Sequence, residues 1–218
     1  MELKVCHLYP ELLNLYGDTG NIAALKFIGG KMGFKVSVER TTLGDRRSFG
    51  GYDIIFIGGG QDSEQRLIAP EIKAFRGAEL RAAVGDGVTV LGICGGYQLL
   101  GHYYETLGGE KLEFSGAVGF YSKAFPKRAV GTLRFKCLTE SGGAEVIGFE
   151  NHSGRTFLDE GISPLGTVVE GVGNNGCGGE GVRFLNAFGT YSHGPLLPNN
   201  PDFCRTVLMT ALKRKGLH

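Results

Sequence analysis

The chain has 218 residues, with 23 Lys or Arg, 22 Asp or Glu and a formal net charge of +1. With no block of like charge, this balance excludes a nucleic-acid groove or a membrane-surface patch as the organising feature. No apolar run reaches the length of a membrane span and no signal-peptide core opens the chain, so a cytoplasmic protein is expected. The five cysteines are odd in number and form no CxxC pair. That pattern favours reduced thiols over a disulfide framework or a zinc site, and no metal is expected. The length suits a single domain over 1–218 with a full core.

"LKVCHLY" (3–9) is a short apolar run followed by the loop "PELLNLYGDTGN". "NIAALKFIGGKMG" (21–33) has helical spacing, with Asp18 or Thr19 as caps and Gly33 as a stop. "KVSVERTTL" (35–43) alternates as a strand, and "YDIIFIGGG" (52–60) reads as a buried parallel strand ending in glycines. A helix over 71–87, a buried strand over 88–93 and a helix over 97–107 follow. Such alternation predicts an α/β fold with a mostly parallel central sheet flanked by helices.

The second half is broken by glycines into short runs at 129–138, 145–158, 165–173 and 182–194, which predict extra strands and hairpins. "NPDFCRTVLMTALKRKG" (200–216) predicts a closing helix, with Asn200 as its cap and Pro201 in its first turn. The GxGxxG match at 171–176 opens no helix, so it reads as a hairpin loop rather than a dinucleotide site. No GxxxxGK[ST] is present, and ATP chemistry has no seat in the chain.

The chemistry concentrates at "GICGG" (92–96), where Cys94 sits between glycines at a strand-to-helix bend. This fits a nucleophile elbow with sulfur as the nucleophile. Small neighbours permit the tight turn, and the following helix is expected to aim its positive end at the sulfur. The amide of Gly95 is a candidate donor to an oxyanion, with Gly60 in the neighbouring "GGGQD" loop as the second. Gln98, four residues on, faces the same way as Cys94. A thiol nucleophile needs a base. His7 falls in the first strand, His102 on the helix past the elbow, and His218 at the terminus. His193 ends a strand on the same sheet edge as the elbow and is favoured over His152, which reads as part of a pocket-shaping loop.

"GICGGYQLLG" with the late "GTYSHG" resembles the class I glutamine amidotransferases, of the cobyric acid synthase-like branch. The stretches "YGDTGN", "GGGQDSEQ", "GFENHSGRT" and "NNGCGGEG" further resemble the glutaminase subunits of bacterial lipid II isoglutaminyl synthases. The resemblance spans essentially the whole chain. It implies hydrolysis of L-glutamine through a Cys94 thioester, with His193 as acid and base. It also implies delivery of ammonia to a Mur-ligase-like synthetase subunit in a heterodimer. That partner holds ATP and magnesium and amidates the D-glutamate α-carboxylate of lipid II, while this chain carries no cofactor. Arg128 is expected from the same resemblance to hold the substrate α-carboxylate.

One departure concerns the histidine. The carboxylate that most relatives carry two residues later is replaced here by Pro195. Asp202, another distant acid or a partner residue must orient His193, and the partner is the expected source. Two rival readings stay open: an amidotransferase for a cobyrinate-type substrate, and a non-catalytic partner-binding or thiol-sensing member of the fold.

Overall fold

The computed structural model describes residues 1–139 and 142–217. Its first sheet is built from β1 (Glu2–Leu8), β2 (Lys35–Thr41), β3 (Ile54–Ile57) and β4 (Thr89–Ile93), joined late in the chain by β11 (Val182–Phe184) and β12 (Ala187–Thr190). The spatial order is β11-β12-β4-β3-β1-β2. All neighbouring pairs are parallel except the β11–β12 edge. Every residue of β3 and β4 is buried, as their unbroken Ile, Phe, Val and Leu runs require of strands covered on both faces. α1 (Thr19–Lys31) crosses from β1 to β2. α2 (Asp62–Glu71), a π-helical turn (Ile72–Arg76) and α3 (Gly77–Gly85) cross from β3 to β4. α1 packs against α5 (Leu196–Asn199) and α6 (Pro201–Arg214).

The second sheet comprises β5 (Tyr103–Glu105), β6 (Lys111–Glu113), the long ribbon β7 (Phe120–Thr139) and β8 (Gly142–Leu158), then β9 (Gly166–Glu170) and β10 (Gly179–Glu180). Of the extra strands and hairpins expected of the second half, those before residue 182 build this antiparallel-rich sheet, with a register shift in the ribbon between Ala124 and Ala129, and the run from 182 joins the first sheet as β11 and β12.

Four expectations change. The helix at 97–107 shrinks to the single turn α4 (Gly95–Gln98). Gly101 lies against the Phe120 ring and carbonyl, His102 N–H donates to the Phe120 carbonyl at 2.8 Å, and "YYE" is drawn into the second sheet between β6 and β7. Strand pairing there outweighs the helical spacing. The helix expected at 71–87 begins earlier, at Asp62. Neither Asp18 nor Thr19 caps α1 with its side chain; the Asn14 side chain takes the Thr19 amide at 2.7 Å. Asn200 stands at the start of α6, but its amide bonds Ile147 N–H at 2.9 Å and the carbonyls of Ile147 and Leu196.

The sheets are tied beside β12. Glu180 Oε1 accepts from the Thr190 hydroxyl at 2.6 Å and the Tyr191 amide at 2.8 Å, while Oε2 has no hydrogen-bond partner. Burial pushes this carboxyl up to about 7 from 4.5, against the hydrogen bonds it accepts. A carboxyl raised in the folded state adds stability that is complete below pH 4.5 and is lost as pH rises through 7. Glu180→Gln is therefore expected to flatten the fall in urea midpoint across that window.

The glycines of the bend are steric requirements. A Cβ on Gly96 would strike the carbonyls of Ile57 and Gly58, and one on Gly92 would stand 2.7 Å from the Gly96 carbonyl. Because these obstacles are backbone, Gly96→Ala is expected to cost about 1–3 kcal/mol. Gly85→Ala, where a Cβ meets nothing within 4 Å, should be neutral or stabilising by up to about 1 kcal/mol. Paired urea melts compare the two.

Candidate active site

β4 and β12 end side by side, with Ile93 opposite Thr190. The chain then bends so sharply that Cys94 takes φ 48° and ψ −103°. Such a conformation costs a non-glycine residue about 1–3 kcal/mol. It is pinned by Cys94 N–H donating to the Thr190 carbonyl at 2.8 Å and by Gln98 N–H donating to the Cys94 carbonyl at 2.9 Å. The helix that follows is a single turn, so the expected long dipole aimed at the sulfur is absent and only local N–H groups act there.

Gly95 lies against Gly60. A Cβ on Gly95 would stand 2.8 Å from the Gly60 carbonyl and 2.9 Å from its amide nitrogen. Gly96 N–H donates to the Gly58 carbonyl at 3.1 Å, which locks the two turns together. The amides of Gly60 and Gly95 donate to no backbone carbonyl among the described residues. Both are thus left to point a donor at an incoming group.

Cys94 lines a cleft of about 490 Å³, shared with Gly60, Gln98, Arg128 and His152. His193 is fully buried just past β12, where its backbone exchanges two hydrogen bonds with Phe149 at 2.8 and 3.1 Å. The Tyr16 ring stands edge-on to the imidazole, 5.1 Å between centroids. The close approach of Gly59 to the imidazole leaves no room for a Cβ, which would lie 2.5 Å from Cε1. Burial alone would lower the His193 pKa. Negative charge on Cys94, reinforced by the Asp18 carboxylate, instead raises it to about 10. Cys94 and His193, separated by 99 positions in the sequence, are electrostatic neighbours.

Of the acids considered as orienters of His193, the distant-acid option finds a candidate other than Asp202. Asp202 is exposed in the first turn of α6. A carboxylate of the chain itself already faces the ring: Asp18 Oδ2 is 3.7 Å from His193 Nδ1, both side chains fully buried. That distance is beyond a hydrogen bond. Asp18 is held by the Gly59 amide at 2.6 Å. Asp18 was read from the sequence only as a helix cap, although "YGDTGN" carried the signal: an acid in a loop leaving the same edge of the sheet as Cys94.

Arg128, on β7, borders the cleft and is braced by the Asn151 side chain at 2.8 and 3.0 Å and the Asn151 carbonyl at 3.0 Å. Gln98 also borders the cleft, but its amide is committed. It accepts from Gln65 at 2.6 Å and donates to the Tyr191 hydroxyl at 3.2 Å. His152 stacks on Tyr191 with centroids 3.8 Å apart, and its ring nitrogens lie 2.7 Å from the Gly154 carbonyl and 3.2 Å from Glu150 Oε2. It lines the cleft wall from within β8, opposite Ala129, rather than from the loop expected of it.

His7 is buried in β1, where burial and Arg40 lower its pKa to about 4. His102 leaves the helix assigned to it and pairs with Asp159 at 2.9 Å, and His218 lies outside the described residues. Burial pushes the Cys6 and Cys137 thiols up to about 11 and Cys204 to about 12, while Cys177 is exposed. The GxGxxG match joins β9 to its antiparallel partner β10, and the Glu150 carboxylate occupies the Val172 and Gly173 amides at 2.7 and 3.1 Å.

Residues 4–201 match the model of the CobB/CobQ-like glutamine amidotransferase domain. The chain is 44% identical, over 98% of its length and 82% of the relative's, to lipid II isoglutaminyl synthase (glutamine-hydrolyzing) subunit GatD of Streptococcus pneumoniae. It is 41% identical to the GatD subunit of Staphylococcus aureus strain N315, over 99% of this chain and 87% of that one. Among solved structures, PurLQS from Thermotoga maritima superposes with a TM-score of 0.64 at 18% identity, covering 98% of this chain and 99% of that chain, a likeness of fold. The chain belongs to the CobB/CobQ-like glutamine amidotransferase family.

Proposed function

We propose that the chain is the glutaminase subunit of a lipid II isoglutaminyl synthase, working in the cytoplasm with a Mur-ligase-like synthetase. The carrying observation is a strained cysteine on a cleft, electrostatically coupled to a buried histidine. Support for the lipid II reading comes from the GatD relatives at 44% and 41% identity.

The Cys94 sulfur attacks the carboxamide carbon of L-glutamine, its proton residing on His193. The carbonyl oxygen becomes an oxyanion held by the amides of Gly95 and Gly60. Collapse of this intermediate breaks the C–N bond. His193 gives its proton to the leaving nitrogen, and ammonia departs. Water then attacks the thioester as His193 takes its proton, and returning that proton to sulfur releases glutamate. Asp18 stabilises the imidazolium between these steps by charge. Arg128 holds the α-carboxylate, and Gln98, bonded at both ends, keeps Tyr191 and Gln65 in place along the wall. This chemistry needs no cofactor in the chain. ATP and magnesium belong to the partner, which activates the D-glutamate α-carboxylate of lipid II to receive the ammonia.

Incubating the chain with the synthetase, lipid II, ATP and L-glutamine should give amidated lipid II by mass spectrometry. Cys94→Ala should cut the glutamine-dependent rate by on the order of 10⁴-fold or more. Amidation from ammonium chloride should survive. Loss of both activities in the variant, or a cobyrinate acceptor preferred to lipid II, would count against the reading.

The proton inventory gives a second prediction. With Cys94 the first of the groups that raise it, Cys94→Ser should move the His193 titration down from about 10, as read by ring-proton NMR.

A further inference from the structure

A free amino acid brings two charges besides its carboxamide, and the site described so far answers only one. Asp62 is the first residue of α2, directly after the "GGGQ" turn that carries Gly60, and it borders the same cleft as Cys94 and Arg128. It is the carboxylate on the cleft wall; the other nearby acids are engaged elsewhere. Glu64 accepts from the Gln61 amide at 2.8 Å and the Ser63 hydroxyl at 2.9 Å. Glu110 pairs with Arg66 at 2.8 Å, so the second arginine of the cleft is neutralised. Arg66, one turn along α2, feels the Asp62 charge but gives its ion pair to Glu110, and Arg128 is braced by the neutral Asn151. Tyr104, also on the cleft, has its hydroxyl 3.5 Å from that of Ser153; burial first raises its pKa to about 12, and the Asp62 carboxylate beside it adds to that rise.

We propose that Asp62 receives the α-ammonium of L-glutamine, opposite Arg128 on the α-carboxylate, with Cys94 at the carboxamide. This rests on the glutaminase reading and adds what that reading lacks, a reason for the site to prefer the free amino acid. Three attachments of different charge fix the Cα configuration. They also disfavour two carboxamides that lack the ammonium: glutaramate, the deamino analogue, and glutamine acylated at nitrogen. Each leaves Asp62 desolvated without a partner, which is where discrimination arises.

The test compares kcat/KM for L-glutamine and glutaramate in wild type and Asp62→Asn, in complex with the synthetase, with thermal melts to verify folding. Wild type should favour L-glutamine. The substitution should lower the glutamine-to-glutaramate ratio about 10–100-fold, chiefly through KM for glutamine, as loss of a charged hydrogen bond predicts. Asp62→Glu should regain part of the ratio. An unchanged ratio in a folded Asp62→Asn protein would overturn the assignment and leave the glutaminase reading standing. Wild type that hydrolyses neither compound would sink that reading, and this assignment with it.

Discussion

Two backbone turns meet at the carboxyl edge of the first sheet, and the site depends on how closely they approach. Gly58–Gly60 leaves β3 and Gly95–Gly96 leaves β4. They touch through main-chain atoms, with Gly96 N–H on the Gly58 carbonyl at 3.1 Å. Any side chain at Gly95 or Gly96 would enter this contact. The approach sets three things at once. It seats Cys94 in a conformation that little else would hold, brings the amides of Gly60 and Gly95 together, and lays Gly59 against the His193 ring. Parallel pairing of β3 with β4 supplies the rigidity, since both strands are buried along their whole length.

The histidine arrives from the opposite end of the chain, and its position is fixed by segments that are themselves remote from one another. Gly20, at the start of α1, lies so close to Pro195 that a Cβ there would stand 2.5 Å from the proline ring. The Asn21 side chain accepts from the Leu197 amide at 2.7 Å. The loop carrying Tyr16 and Asp18 is thereby fastened to the loop carrying His193. Pro195, which displaces the carboxylate usual two residues after the histidine, is thus part of the contact that holds Asp18 in front of the ring. A proline there removes one acid and packs the segment that presents another.

Legibility from sequence followed the range of the forces involved. The parallel strands could be read because unbroken apolar runs report burial on both faces, and the elbow because glycine at defined offsets reports a steric demand. His193 could be placed because a strand end fixes an edge of the sheet. Asp18 was missed because its partner is 175 positions away and no local pattern distinguishes a cap from a charge neighbour. The helix over 97–107 was misjudged for a related reason. "YQLLGHYYETL" has helical spacing, but the Phe120 carbonyl and the strands on either side claim its second half. Gln98 shows the limit in the site itself: its facing direction was legible, and its commitment to Gln65 and Tyr191 was not.

The charges around the cleft follow one logic. Buried carboxylates behind the cleft wall are spent on structure, Glu150 on His152 and the Val172 and Gly173 amides and Glu180 on Thr190 and Tyr191. The His193 imidazole has no access to water, so its interaction with the Asp18 carboxylate is weakly screened. A zwitterionic substrate between Arg128 and Asp62 adds no net charge to such a site. It can enter without unbalancing that interaction.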